Sequence, residues 1–298
     1  MPTKTNKRLH KKTHVRARDA ISQAALPSLR RHLDALVSEF DYCAHVRRDP
    51  LHFVRCYQDP RDAEVAGLVA ACLAYGRVGR VLTSVESALV PLGPHPAAFL
   101  RNLEAEEINL FDRFIHRFTG APELRALCTA LGRTLRRYDS LEAVFVEGLQ
   151  RGSATGVHDG LQHLVNVLRR EMPQTRTHDP AHWRRIRFLL PAPKEGSACK
   201  RLNMWLRWMV RRQDGLDLGL WNALTPAQLL IPLDAHVVRL ARTLHLTTRS
   251  TVNWTMAEDV TTQLRRLDPV DPIKYDFAFS HLGMQGVFLP GGGPLEPR

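Results

Sequence analysis

Apolar residues in this chain recur at helical spacing and rarely alternate. Leu68, Cys72 and Tyr75 repeat at i, i+4, i+7, as do Leu202, Leu206 and Met209 with Trp205 between them, and Val260 and Leu264 continue the pattern. Such spacing gives a helix one apolar stripe. Start signals recur beside these runs. Asp59-Pro60, Asp179-Pro180, Thr225-Pro226 and Asp271-Pro272 each set a capping side chain before a proline suited to the first helical position. Thr255 to Glu258 reads as a capping box. Gly152–Gly160 and Met172–His178 are polar and read as loops, and no internal repeat is visible. Strand-length alternation is scarce, so the expected fold is all-α.

The segment FLLPAPKEGSACKRLNMWLRWMVRR, residues 188–212, predicts two helices around a sharp turn. A helix from about Pro180 meets Pro191-Ala-Pro-Lys-Glu-Gly196, and Ser197 is expected to cap the second helix. The free N–H groups around Gly196, Ser197 and Ala198 would suit a phosphate, with Arg201, Arg207, Arg211 and Arg212 adding positive charge. Trp205 and Trp208 read first as core aromatics, with base stacking as the alternative. Lys200 falls where a capping box prefers Glu or Gln, and a cation in a first turn opposes the helix dipole. Local stability therefore does not explain it. Either Lys200 is a nucleophile or it meets a phosphate or solvent.

A second acid-bearing stretch, IPLDAHVVRLARTL, begins at Ile231. Pro232 should end a short helix over Pro226–Ile231, and Asp234 should cap the next one, whose buried face would hold Val237, Leu240, Ala241 and Leu244. His236 and Arg239 fall on a different face. A lysine nucleophile beside a carboxylate suits N-glycosidic cleavage: the amine attacks the sugar C1′ while the carboxylate stabilises oxocarbenium character.

Composition changes this picture in one respect. Among 298 residues, 44% are hydrophobic and 24% charged, both ordinary for a globular chain, but 42 Lys and Arg against 30 Asp and Glu give a net charge of +12. Seven of those bases lie before Asp19, leaving 35 against 30 for the remainder. Residues 1–18 are therefore expected to form a disordered basic tail, a composition that binds nucleic acid or acidic membranes. The longest apolar run, near Ala63–Gly76, is too short to cross a bilayer and contains Glu64, so no membrane partner is expected. The N-terminus carries no apolar signal region, and a cytoplasmic, nucleoid-associated location is expected. The five cysteines form no CxxC pair, and the histidines show no paired ligand spacing, so neither metal nor cofactor is expected.

LDAHVVRLARTL resembles the aspartate segment, roughly VDTHVxRV, of the helix–hairpin–helix (HhH-GPD) base-excision DNA glycosylases. DPRDAEVAGLVAACLAYGRVGRV resembles their opening helix and probing loop, and DFAFSHLGMQGVF their closing helix, without its final cysteine. The hairpin signature LPGxGxxTA is replaced by LPAPKEGSACK. CKRLNMWLRWMVR, PLDAHV and DPIKYDFAFSHLG resemble, more closely, a bacterial family without an assigned activity, DUF2400. The resemblance implies a two-lobed helical fold over 19–290, with a middle lobe near 62–212, an outer lobe from both chain ends and a flexible 291–298. It implies a monomer that binds double-stranded DNA and excises a damaged base, an oxidised purine by analogy with the archaeal 8-oxoguanine branch. Lys200 would be the nucleophile and Asp234 the stabiliser, with Gly196, Ser197, Arg201, Arg207, Arg211, His236 and Arg239 gripping the DNA and a flipped base near Tyr75, Arg77, Trp205 or Trp208. Two competitors remain: a non-catalytic DNA- or RNA-binding protein that uses Asp234 only as a cap, and an interaction protein tethered by its tail.

Overall fold

The computed structural model describes residues 21, 25–103, 111–152, 156–173, 179–212 and 215–285; the basic tail and the C-terminal stretch 291–298 lie outside them. The described residues are helical almost throughout, as the spacing predicts. Among the described residues, six α-helices precede a short hairpin: α1 (Leu26–Glu39), α2 (Tyr42–Val46), α3 (Leu51–Val54), α4 (Pro60–Leu73), α5 (Val78–Leu89) and α6 (Pro96–Asn102). The strands β1 (Ile115–His116) and β2 (Thr119–Gly120) pair antiparallel, with Ile115 opposite Gly120. Then follow α7 (Ala121–Arg137), α8 (Leu141–Arg151), α9 (Val157–Glu171), α10 (Pro180–Leu189), α11 (Lys200–Val210), α12 (Ala235–Thr243), α13 (Trp254–Leu267) and α14 (Asp276–Gln285).

The proline-marked starts divide by what their acids touch. Asp59 accepts N–H groups of Arg61 and Asp62 to open α4, and Asp179 accepts that of Ala181 to open α10. Thr225-Pro226 opens only a 3-10 turn, Pro226–Gln228, rather than the expected longer helix. Asp271-Pro272 opens no helix, because the Asp271 carboxylate is gripped by the Arg211 guanidinium at 2.9–3.1 Å; the chain turns until Asp276. Asn253, not Thr255, caps α13, and Glu258 accepts the Trp254 indole N–H at 2.9 Å. The polar Gly152–Gly160 stretch is shorter as a loop than expected, since α9 already begins at Val157.

Two helices form the centre. Every residue of α4 from Asp62 to Leu73 is buried, as is every residue of α11 from Arg201 to Val210, so neither shows the single apolar stripe of a surface helix. They pack directly on each other. Gly67 permits the approach: a Cβ there would sit 3.1 Å from Trp205 Cδ1 and from Met209 Cε. α7, α8 and α9 pack together on one side, and α12 packs on α14. The first described helix meets the last described segments, with α1 on α13 and the Asp34 carboxylate accepting Lys274 (2.7 Å) and the Tyr275 hydroxyl (3.0 Å).

Glu64 lies inside α4, accepting the Trp221 indole N–H at 2.6 Å and the Leu141 N–H at 3.0 Å, which fastens the start of α8 to the central helix. Burial, the dominant cause, pushes its carboxyl up to about 7, and these donors only partly oppose it. The folded state therefore holds a proton that the unfolded chain releases near pH 4.5, and stability falls as pH rises from 4.5 to about 7. The loss is about 3 kcal/mol, at about 1.4 kcal/mol per unit. Glu64→Gln should flatten this part of the pH–stability curve, as measured by thermal melting between pH 4.5 and 8.

Candidate functional site

Helix α11 begins differently from expectation. Gly196 closes the preceding turn at φ 77° and Cys199 is left-handed at φ 47°, so Lys200 is the first helical residue. Ser197 does not cap the helix; its Oγ accepts the Cys199 N–H at 3.0 Å and stabilises the turn instead. The turn is anchored to α9, where Arg169 holds Glu195 through two bonds of 2.7 and 2.8 Å and Gln162 accepts the Lys194 N–H at 2.9 Å. From this start, Lys200, Met204 and Arg207 fall at i, i+4, i+7 and share one face. Lys200 Nζ lies 3.7 Å from Met204 Sδ.

Asp234 caps α12 as expected, its Oδ1 accepting the Val237 N–H at 2.7 Å. Its Oδ2 accepts the Ser280 hydroxyl of α14. One turn before Ser280, Asp276 accepts a 2.5 Å bond from Arg207 Nη1. Lys200, Arg207, Asp234, Asp276 and Ser280 thus line one cleft of about 420 Å³, closed on another side by Tyr75 and Gly76. His236 also lines it, with its buried Nδ1 unpartnered among the described residues, whereas Arg239 does not reach it. Asp276 is 4% exposed. Burial, the largest cause, and nearby Asp234 push its carboxyl up to about 6, against the opposing charges of Arg207 and Lys200.

Several residues expected to grip DNA are interior. Arg207 and Arg211 are each 2% exposed and answer three buried acids. Asp217 lies between them, 3.3 Å from Arg207 Nε and 2.6 Å from Arg211 Nη1, while Arg211 also holds Asp271. Arg201 donates to the Cys72 and Phe188 carbonyls and lies 5.1 Å from the Tyr75 ring centroid. Charges this deep need partners and are unavailable to a phosphate. Trp205 and Trp208 are fully buried, which makes them core volume and not a stacking platform. Tyr75 is half-buried beside the cleft, its hydroxyl donating to the His116 carbonyl at 2.7 Å. Gly196 and Ser197 line a neighbouring cavity of about 570 Å³ that also touches Tyr75 and Lys200.

The family description "Protein of unknown function (DUF2400)" matches residues 49–285, most of the chain and every residue of the cleft except Arg48. The chain belongs to the DUF2400 family. No curated protein and no solved structure matches it.

The DUF2400 chain does carry exposed positive charge, partly in the segment 59–81 singled out in the sequence and partly at the hairpin, which no motif marks. Arg77, Arg80, Arg113 and Arg117 are exposed around Gly76 and the β1–β2 hairpin, and among the described residues none forms an ion pair. Arg117 is left-handed at φ 54° in the hairpin turn, and its side chain packs over Gly76, where a Cβ would meet Arg117 Cδ at 3.0 Å. Beside it, Ile115 is 74% and Phe118 56% exposed, and the Phe118 ring lies edge-on to Phe188 at 5.5 Å. Phe188 meets Tyr75 in turn at 4.9 Å, so the aromatic row runs from the hairpin tip to the cleft wall. Two-residue strands leave no periodic signal, and an isolated Phe118 in a sequence reads as core.

Interior and exterior arginines should separate in measurement. Arg211→Ala should lower stability by about 3–5 kcal/mol, because it strands buried carboxylates. Arg77→Ala should change stability by no more than about 0.5 kcal/mol. Chemical denaturation of the two variants reads the difference.

Proposed function

We propose that this DUF2400 protein binds double-stranded DNA and cleaves the N-glycosidic bond of a damaged base, on a helix–hairpin–helix scaffold of the base-excision type, with an oxidised purine as the first substrate class. The observation that carries it is that Lys200 and Asp234, read separately in the sequence, line the same cleft. Lys200 attacks C1′ as the bond to the base breaks, and the bonding pair leaves with the base. Asp234, fixed by its cap bond and by Ser280, presents negative charge where the sugar becomes cationic. Ring opening gives a Schiff base, from which β-elimination releases the 3′ phosphate. The exposed arginines around Gly76 supply the salt-dependent grip on the backbone. The row Phe118, Phe188, Tyr75 offers aromatic faces beside the cleft to a displaced base.

A second reading is favoured by the engagement of both Asp234 oxygens: a non-catalytic DNA- or RNA-binding protein in which Asp234 only holds α12 to α14. One experiment separates them. With lesion-bearing duplexes and borohydride, wild type should form a covalent adduct that Lys200→Ala abolishes. Base release without adduct would leave Asp234 alone as catalyst, and neither product across a broad lesion panel would leave the binding protein.

Asp234→Asn separates structure from chemistry. Asn caps a helix almost as well, so thermal stability should move by less than about 1 kcal/mol. Base release should nevertheless fall by about 100-fold or more, with DNA affinity retained.

A further inference from the structure

Asp276 is the cleft's second carboxylate, and the glycosidic scheme above gives it no task. We propose that Asp276 is the proton carrier of the cleft: it takes the proton lost by the Lys200 nitrogen when that amine bonds to C1′, and returns it to the departing sugar oxygen as the C=N bond forms. This rests on the reading of Lys200 as the nucleophile. The step balances. The amine gives its lone pair to C1′ and one proton to Asp276; the remaining N–H nitrogen then pushes its pair into the C=N bond, the C1′–O bond breaks toward oxygen, and that oxygen takes the proton back.

Position and partners single out Asp276. Among the described residues, the buried ionic cluster includes the arginines Arg207 and Arg211 and the acids Asp217, Asp271 and Asp276. Asp217 is bridged by both arginines, and Asp271 is held by Nε and Nη2 of Arg211. Among the described residues, the Asp276 carboxylate takes one bond, from Arg207 Nη1, and of these three acids it is the one that lines the cleft. The charged and titratable groups facing it there are Lys200 and Arg207 from α11, Asp234 and His236 from the start of α12, Tyr75 after α4, and Arg48 and Asp49 before α3. Asp234 is a fixed acceptor, since one oxygen holds the Val237 N–H and the other the Ser280 hydroxyl. Asp276, raised to about 6, titrates close to neutrality, where one group can both accept and return a proton.

A duplex with one abasic site tests this without knowledge of the lesion, because its aldehyde sugar reacts directly with Lys200. Borohydride trapping is timed from pH 5 to 8 for wild type, Asp276→Asn, Asp276→Glu and the control Asp271→Asn. Wild type should show an inflection near pH 6. Asp276→Asn should lose it and trap about 100-fold more slowly; Asp276→Glu should recover part of the rate with a displaced inflection, and Asp271→Asn should keep the wild-type profile. Wild-type rate and profile in Asp276→Asn would overturn the proposal and leave Lys200 standing. Equal loss in Asp271→Asn would overturn it in favour of a structural role. Should Asp276→Asn fail to fold, an unmoved inflection in Asp276→Glu overturns it. No adduct from wild type would remove the nucleophile, and the carrier with it.

Discussion

A buried helix that carries three arginines constrains the whole molecule. Arg201, Arg207 and Arg211 lie on or just after α11, which is enclosed on all sides, and an unpaired guanidinium there would cost several kcal/mol. Each therefore draws in acceptors from distant segments. Arg201 takes carbonyls from the end of α4 and from α10. Arg207 and Arg211 take acids from the loop after α11 and from the chain's last described segment. Satisfying those charges brings α14 against α11, and α14 brings Ser280 to Asp234. The cleft is a by-product of that pairing.

Charge is sorted by depth. Arginines facing inward organise the carboxylates, while those around Gly76 and the β1–β2 hairpin remain in water, where screening keeps their contribution to stability small. The same residue type thus serves two ends. Inside, it keeps Asp234 and Asp276 in fixed relation; outside, it forms a positively charged surface flanked by exposed Phe118 and Phe188. In this DUF2400 protein, this sorting joins a basic surface to a cleft lined by Lys200, Asp234 and Asp276.

Much of the frame was legible from local rules. Helical spacing predicts the all-α class, and Asp59, Asp179 and Asp234 cap the helices they precede because capping is settled within a few residues. The hairpin near Pro191–Gly196 and the interest of Lys200 and Asp234 were also visible. The rules failed where a side chain had a more distant claim on it. Asp271 stands before a proline, yet Arg211 holds its carboxylate and the helix starts later. Elsewhere a competing local bond decided: Asn253, not Thr255, caps α13, and Ser197 serves a turn tightened by two left-handed residues.

The site was legible only in part, for the same reason. Arg207 and Arg211 read as phosphate contacts because no adjacent acid announces that they are paired; Asp276 lies 69 positions from Arg207 in the chain. Asp276 itself sits in an ordinary aromatic run, and its chemistry comes from burial and from Asp234, which no local spacing encodes. Local hydrogen bonds and helical periodicity act over a turn or two, and the chain spells them out. Which charges are desolvated, and which carboxylates share a cleft with Lys200, depends on how α4, α11, α12 and α14 pack. Desolvation is set by what surrounds a group in space, and packing creates it.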